Sequence, residues 1–565
     1  MDRINRSISF AAQFAAVCRI LSETDDEPKS VNFKLHSSLR PCLYLITFAS
    51  SLFLFGLGSR DFWAPVEPRY AEIARVMFLK GQWLVPTVNG NLYTDKPIFY
   101  FWLVLIGAKV FGGVTEWTVR LPAALGGIGF VLSTYLTGRD LLGSRSGFIG
   151  AVVLATSMRV LWEARWAHVD TLFCALFGFA MYFGARTLFR KARQGEVLLV
   201  YVLIALATLT KGLIGVVLPG LVLGGFILVR RDWSLIVRLK LHWGVPVFLL
   251  FAVPWFYVVN HLTDGKWLTD FIYIHHIQRY TAGAGHRQPF YYYFTTLPLD
   301  FLPWTIFTVP AFFAYRPLRS RLADPVVQFF LVWFLGVLLF FSLSDTKRDL
   351  YLLPLFPSMA LFVGVYFDDL IQGKIAQNFL YRWSAGCFFG LLAVVGLCAP
   401  VAAWFYYRDA WIAVASVSVP LLIAGVVAVV YVWRSRPLNV VAVTAALMAL
   451  SVFGASIWLM PYLERFKSPR RFSNQVEKIV PPPAPVYIYA DTMNDFNYYM
   501  GRETIPVMPN SNALDRLLLS EAQGYLIIKE RDLDRLPQLP RESIVVSETQ
   551  TRAMWHLVRL RTRAS

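Results

Sequence analysis

Charged residues are scarce in this chain of 565 residues. They make up 16% of the sequence, whereas hydrophobic residues make up 56%. A soluble protein cannot cover that much apolar surface with so few charges. Long apolar runs separated by short polar segments are typical of transmembrane helices. The composition excludes an ordinary soluble protein and predicts a polytopic membrane protein.

Cysteine and targeting signals are also sparse. None of the five cysteines lies in a segment that we predict outside the membrane on the non-cytoplasmic side, so neither a disulfide framework nor a cysteine-based metal site is expected. The first 40 residues are mixed and charged, without a small-residue cleavage site, which argues against a cleavable secretory signal. We predict that residues 1–40 form a cytoplasmic tail.

The net charge of +18 favours cytoplasmic loops beside anionic lipid over a nucleic-acid partner. Basic linkers occur at alternate connections between apolar runs, which places these connections in the cytoplasm. They are Arg139 to Arg145, Arg186 to Arg193, Arg230 to Lys240, Arg316 to Arg321, Lys374 to Arg382 and Arg434 to Arg436.

Thirteen apolar segments within residues 41–460 are predicted to cross the bilayer. They are 43–58, 120–138, 146–161, 170–189, 197–210, 213–230, 243–260, 300–316, 326–343, 350–367, 382–406, 410–433 and 438–460. Residues 98–113 are apolar enough to cross, but a crossing there would turn the later basic loops outward. We interpret them as an interfacial or re-entrant helix. The expected fold is mostly α, with about 13 transmembrane helices, the N-terminus inside and the C-terminus outside.

Residues 461–565 differ in composition. Strand-like runs at 486–489, 504–508, 525–529, 544–546 and 555–560 alternate with amphipathic stretches near 493–501 and 511–520. We predict a small α/β domain outside the membrane.

Unusual polar residues gather in segments that this topology places on the outer face. The first outer loop, 59–119, contains a predicted helix that starts near Glu67 and Pro68, with Asp61 and Arg69 beside its start. Taken alone, Glu67 and Arg69 favour helix capping and compensation of the helix dipole. Asp95 and Lys96, later in this loop, suit either a metal or phosphate site or an interfacial anchor.

The long loop 261–299 and three helix ends supply further candidates. The loop holds His276 and Arg279, which share a face if this part is helical, and imidazole and guanidinium suit metal and phosphate respectively. Taken singly, a charged side chain at a helix end usually extends to the membrane interface without a further role. Convergence of several such groups on one face indicates a functional site. These groups are Asp170, Lys211, Lys347 and Tyr351.

A resemblance joins these segments. In order over about residues 50–365, the chain resembles the bacterial GT-C glycosyltransferases, in particular the lipid A aminoarabinose transferase branch, itself similar to protein O-mannosyltransferases. The motifs are APVEPRYAEIARVM, LYTDKPIFYFW, RLPAAL, ARWAHVD, TLTKGLIG, HHIQRY and KRDLYLLPLFP. The resemblance implies a bacterial inner-membrane enzyme that takes a sugar, 4-amino-4-deoxy-L-arabinose or a hexose, from undecaprenyl phosphate. The acceptor would be lipid A or another envelope glycolipid at the periplasmic face.

The resemblance also implies roles for single residues. Asp95 and His276 match a metal-binding pair for a divalent ion such as Zn, Mg or Mn. The positions matching the donor-phosphate cavity and the first-loop motif are Arg69, Tyr70, Lys96, Lys211, Arg279, Lys347 and Tyr351. Cations there would stabilise the charge on the departing phosphate.

Val66 departs from the family pattern, which has an aspartate proposed as the catalytic acid or base at this position. Glu67, Asp61 or Asp170 would then orient or deprotonate the acceptor, or an anionic phosphate acceptor would need little deprotonation. A third interpretation of Val66 is that the protein has lost its enzymatic activity. A lipid-linked sugar transporter is a rival, but its polar groups would lie near the midplane among repeats. A protein O-mannosyltransferase is another, and its hydroxyl acceptor would need a base.

Overall fold

The structure, a computed structural model, describes residues 35–190, 192–278, 287–316, 321–491, 494–519, 524–550 and 553–560. Most of the predicted cytoplasmic tail, residues 1–34, lies outside these ranges. The described residues divide into two compact units. Unit 1 consists of residues up to Phe55, Asp95–Tyr100 and Pro122–Leu459, and unit 2 of Gly56–Thr94, Phe101–Leu121 and Met460–Ser565.

Nine helices within the described ranges are long and apolar enough to cross a membrane. They are Glu116–Leu142, Asp170–Phe189, Gln194–Lys211, Leu241–Leu262, Pro325–Leu343, Asp349–Ile371, Phe379–Tyr406, Trp411–Trp433 and Pro437–Lys467. A pair bent by 103°, Tyr292–Asp300 and Thr305–Ala314, adds a tenth candidate. Shorter apolar helices are Leu39–Leu54, Phe99–Phe111, Ser144–Ala155 and Ile214–Arg230.

Each predicted span falls on one of these helices, so the polytopic, mostly α fold is confirmed. Three of the thirteen predicted spans fall on short helices and one on the bent pair, which leaves nine of full length. Phe99–Phe111, in the segment predicted to be interfacial, has 13 residues. Such a helix is about 20 Å long, which is less than the hydrocarbon core of a bilayer.

Short helices in unit 1 carry the polar residues between the long ones. They are Met158–Glu163, Ser234–Arg238, Lys266–Thr269, the π-helical Asp270–Gln278 and the 3-10 segment Asp349–Leu355. A second π-helical segment, Ala455–Leu459, interrupts the last long helix.

Close helix packing fixes where Asp170 begins its helix. A Cβ atom on Gly126 would lie 2.5 Å from the backbone nitrogen of Leu172, so only glycine allows the two helices to approach this closely. The Thr171 hydroxyl donates to the Ala123 carbonyl at 2.8 Å. The N-terminus of the Asp170–Phe189 helix is therefore held against the Glu116–Leu142 helix.

Gly212 ends the helix that carries Lys211. Its φ of 83° is favourable for glycine and strained for other residues, and its N–H donates to the Thr208 carbonyl at 2.8 Å. The chain then turns into Ile214–Arg230. Lys211 is thus fixed at the last position of its helix.

Unit 2 contains a five-stranded mixed sheet and a small hairpin. The hairpin pairs β1 (Thr87–Val88) with β2 (Asn91–Leu92). The sheet has the order β4-β3-β5-β7-β6, where β3 is Val486–Tyr489, β4 Val507–Met508, β5 Gly524–Lys529, β6 Ile544–Gln550 and β7 Ala553–Leu560. β3 runs parallel to β4 and β5, and β7 runs antiparallel to β5 and β6.

Unit 2 also contains one helix of the first loop and four helices of the C-terminal segment. They are Val66–Leu79, Arg470–Ile479, Asn494–Tyr499, Ser511–Leu519 and Glu530–Leu533. The predicted small α/β fold is confirmed, with every predicted strand present. The first loop packs on it: the Asn89 side-chain oxygen accepts from the Ile505 N–H at 2.7 Å and from the Asn497 amide at 3.0 Å.

Glu72 gives unit 2 a pH-dependent stability. Burial raises the pKa of this carboxyl to about 7, although its ion pair with Arg75 at 2.7 Å opposes the shift. Between the ordinary carboxyl pKa and 7, the folded state holds a proton that the unfolded state has lost, so stability falls as pH rises.

We therefore expect wild-type protein to lose about 1–3 kcal/mol more than Glu72→Gln between pH 4.5 and 7.5. Unfolding of the detergent-purified protein across this range measures the difference. Glu542→Gln, an exposed position, should follow wild type. Parallel pH curves for wild type and Glu72→Gln would contradict the assignment.

Candidate active site

A buried ion pair joins two predicted site residues from different helices of unit 1. The Lys211 ammonium donates to the Asp170 carboxylate at 2.6 Å, and both side chains are less than a tenth exposed. Lys211 also lies 5.0 Å from the ring centre of Phe173 and 5.4 Å from that of Tyr351. The structure thus brings together Asp170, Lys211 and Tyr351, and their role at a donor phosphate stays a prediction.

Lys347 directly follows Thr346, which forms an isolated antiparallel bridge with Arg287. Its ammonium donates to the backbone carbonyls of Gln288, at 3.1 Å, and Ser344. The residue is 5% exposed. Within the described residues no carboxylate lies at ion-pair distance from Lys347 or from its neighbour Arg348. A buried ammonium without a counter-charge is costly, so this position favours an anionic ligand.

A polar network that the sequence reasoning missed lies on the short helix Met158–Glu163 and just beyond it. A Glu163 carboxylate oxygen lies 2.5 Å from His168 Nδ1, and the other is 3.4 Å from Arg159. Arg159 also donates to Asp300 at 2.6 Å and to Asp349. The signal available in the sequence was the concentration of charge in RVLWEARWAHVD, between two apolar runs.

Asp95 and Lys96 form a partly exposed pair at 2.9 Å. His275 Nδ1 lies 3.5 Å from the same Asp95 oxygen. The backbone of His276 continues the π-helix that carries His275, while its side chain and the whole of Arg279 lie outside the described part of the chain. A carboxylate beside an imidazole suits a divalent metal chemically. The metal pair Asp95 and His276 remains a prediction.

Glu67 lies at the centre of a buried ion cluster in unit 2. It accepts two hydrogen bonds from Arg60, at 2.6 and 3.0 Å, and two from Arg120, at 2.7 and 3.0 Å. The Trp63 N–H donates a fifth at 3.2 Å. Burial alone would raise the pKa of Glu67, but the two guanidinium groups overcome it and hold that pKa well below its usual range. This geometry favours a structural anion over a proton acceptor.

The other first-loop candidates lie around this cluster. Asp61 accepts from Arg470 at 2.7 Å and from the Ser468 hydroxyl. Tyr70 is buried against Tyr93 and Phe101, with ring centres 6.4 and 5.4 Å away. Arg69, half-buried, has no ion-pair partner in the described ranges, which suits an anion-binding residue. Their predicted catalytic and donor-binding roles stay predictions.

Unit 1 therefore holds the elements that transfer from a phosphate-linked sugar needs. Cations at Lys347 and Arg348 can neutralise a phosphate, and the Lys211–Asp170 pair beside Tyr351 supplies further charge and an aromatic face. His168 and Glu163 add a hydrogen-bonded imidazole and carboxylate. Such an arrangement fits displacement at the anomeric carbon with an anionic leaving group.

Comparison with known proteins supports this chemistry. Residues 95–258 match the family described as dolichyl-phosphate-mannose-protein mannosyltransferase. The undecaprenyl phosphate-alpha-4-amino-4-deoxy-L-arabinose arabinosyl transferase of Shewanella sediminis is 28% identical over 82% of this chain and 85% of its own. The corresponding transferase 1 of Pseudomonas fluorescens is 31% identical over 61% of this chain and 60% of its own.

The fold is shared with a solved structure. ArnT from Cupriavidus metallidurans bound to undecaprenyl phosphate superposes with a TM-score of 0.74 at 24% identity, covering 91% of this chain and 97% of that one. The resemblance to glycosyltransferases that use lipid-linked sugars is confirmed. The chain is a multi-pass membrane protein of this enzyme class.

Proposed function

We propose that this membrane glycosyltransferase of the polyprenyl-phosphate-sugar class transfers 4-amino-4-deoxy-L-arabinose from undecaprenyl phosphate to lipid A or a similar envelope glycolipid. The site faces the periplasm in the bacterial inner membrane. The outward placement is supported by the basic linkers at alternate connections, which the positive-inside rule assigns to the cytoplasm. The choice of sugar is supported by the relative from Shewanella sediminis, which matches over most of both chains.

The observation that carries the proposal is the buried ammonium of Lys347 without a carboxylate partner in the described ranges. A polyprenyl phosphate bound there would supply the missing negative charge. During transfer the acceptor oxygen attacks the anomeric carbon and the bond to the phosphate oxygen breaks. Lys347 and Arg348 then stabilise the charge that develops on that oxygen.

A divalent metal is part of the proposal. Asp95 and His276 would hold it, with His275, 3.5 Å from Asp95, as a further imidazole on the same segment. When bound, the metal would supply additional positive charge near the phosphate. Lys96, paired with Asp95, would keep that carboxylate ionised and oriented.

Lipid analysis by mass spectrometry tests the function. Envelope extracts of a strain that expresses the protein should contain a glycolipid heavier by one aminopentose, and a strain without the gene should lack it. Asp95→Ala should behave like the deletion, whereas exposed Glu542→Gln should behave like wild type.

Unchanged glycolipids, without accumulation of the undecaprenyl-phosphate sugar in the deletion strain, would overturn the proposal. A hexose lost from protein instead would favour the mannosyltransferase reading, which the match over residues 95–258 makes the leading rival. Failure of the lipid-linked sugar donor to cross the membrane in the deletion strain would favour a transporter.

A further inference from the structure

Val66 stands where the resembled family has an aspartate, so a different group must take the proton from the acceptor substrate. The carboxylates suggested by the sequence are all engaged. Glu67 is bound by two guanidinium groups, Asp61 by Arg470, and Asp170 by Lys211. The two guanidinium groups hold the pKa of Glu67 well below its usual range, so it is a weak base, and Asp61 and Asp170 already hold cationic partners.

His168 has the geometry of an oriented base. Its Nδ1 lies 2.5 Å from a Glu163 oxygen, and Glu163 is 1% exposed. A carboxylate at this distance accepts a hydrogen bond from Nδ1–H, so the lone pair of the neutral ring resides on Nε2. Arg159, one turn earlier on the same short helix, holds the other Glu163 oxygen. A base oriented by a fixed third group is the arrangement that activates oxygen nucleophiles in other enzymes.

The position of His168 connects it to the donor-phosphate groups. A ring nitrogen of His168 and carboxylate oxygens of Glu163 and Asp170 all lie within 4.8 Å of one another. Asp170 in turn holds Lys211 beside Tyr351. The imidazole and the ammonium therefore flank the same carboxylate. Since Glu163 is hydrogen-bonded to His168 and Asp170 to Lys211, we interpret these side chains as neighbouring parts of a polar network.

We propose that His168 is the general base for the acceptor, with Glu163 as its positioning residue. This inference rests on the proposed function. As the acceptor oxygen forms its bond to the anomeric carbon, its proton passes to Nε2 of His168. The electron pair of the breaking bond goes to the phosphate oxygen, and the imidazolium later returns its proton to solvent. The acceptor group is a hydroxyl or a singly protonated phosphate.

Charges from several elements are linked to His168 through Glu163 and Asp170. Carboxylates stabilise the imidazolium, and the cations oppose it. The carboxylates are Glu163, Asp170, Asp300 and Asp349, and the cations are Arg159, Lys211 and Arg348. The carboxylates nearest the ring, Glu163 and Asp170, favour uptake of the proton.

The test is sugar transfer by the full-length protein in detergent, with purified donor and lipid A, from pH 5 to 9. We expect His168→Asn to lower kcat by on the order of 10²–10⁴ at pH 7 and to remove the acidic limb of the kcat/KM profile. Asparagine can still donate to Glu163, so the fold should survive, and His168→Gln is the second variant if it does not. Glu163→Gln should move the acidic limb to lower pH, because the imidazolium loses its nearest anion.

Each outcome decides one question. An acidic limb that persists in His168→Asn belongs to the acceptor phosphate and overturns the inference, as does an unchanged kcat. A loss in Glu163→Gln that is equal at every pH overturns its positioning role. Wild-type protein that transfers no sugar would instead contradict the proposed function itself.

Discussion

Replacing Lys347 with methionine is expected to lower sugar transfer by on the order of 10²–10³ without lowering the stability of the protein. Lys347 is 5% exposed, and its ammonium donates only to backbone carbonyls among the described residues. Its charge therefore costs free energy in the unliganded protein and is compensated only when an anion binds. Methionine keeps the length and removes the charge.

The prediction is specific because the transfer rate should fall while the stability of the protein does not. Removing a buried charge that has no counter-ion offsets the loss of about 1 kcal/mol for the carbonyl hydrogen bonds, so the net stability should be unchanged or higher. Turnover with purified donor and the midpoint of thermal unfolding measure the two quantities on the same sample. Adding undecaprenyl phosphate should raise the midpoint for wild type and leave it nearly unchanged for Lys347→Met.

Two further variants act as controls. Lys347→Arg keeps the charge and should retain part of the transfer rate. Lys374→Met removes a lysine that is 61% exposed and lies 3.6 Å from Asp369, and it should match wild type in both assays. If Lys347→Met transferred sugar at the wild-type rate, the phosphate would have to be bound elsewhere, with Arg69 and Lys96 as the next candidates.

The membrane helices and the C-terminal strands followed from the sequence because their signals are local. A run of apolar residues reports burial in lipid, and alternation around 486–489 or 525–529 reports a half-buried strand. The pairing of Asp170 with Lys211 is not local, because 41 residues separate them. Their convergence on one face was predicted through the charge of the linkers, and a shared role at the donor phosphate is what the resemblance implies.

Other parts of the site required the structure. Arg120 stands at the start of an apolar run, and an intramembrane charge there indicates a partner, but nothing in the sequence points to Glu67, 53 residues earlier. Glu163 and His168 are five residues apart, a spacing that becomes a contact only because the helix ends between them. The packing of the first loop with the C-terminal sheet was also not predicted, since it depends on polar contacts such as Asn89 to Ile505.

Glu67→Gln is expected to destabilise the protein by about 3–5 kcal/mol, since it leaves two guanidinium groups buried without a counter-charge. Glu67 and Arg120 are 0% exposed and Arg60 is 8% exposed, so water cannot replace the lost carboxylate. The midpoint of unfolding of the detergent-purified protein measures the loss. Glu503→Gln removes one carboxylate of the exposed pair with Lys80 and should cost less than about 1 kcal/mol.

The same variant separates two roles for Glu67. If the carboxylate serves the fold, activity per folded molecule of Glu67→Gln should remain near wild type below its lowered unfolding midpoint. If it is the acceptor's base, turnover should fall by on the order of 10²–10⁴ even in samples that are fully folded. Its four hydrogen bonds from arginine and its depressed pKa favour the first outcome, because a proton taken up there would have to displace two cations. If Glu67→Gln were folded but inactive, Glu67 of the first loop would be the general base, and the assignment of that role to His168 would be wrong.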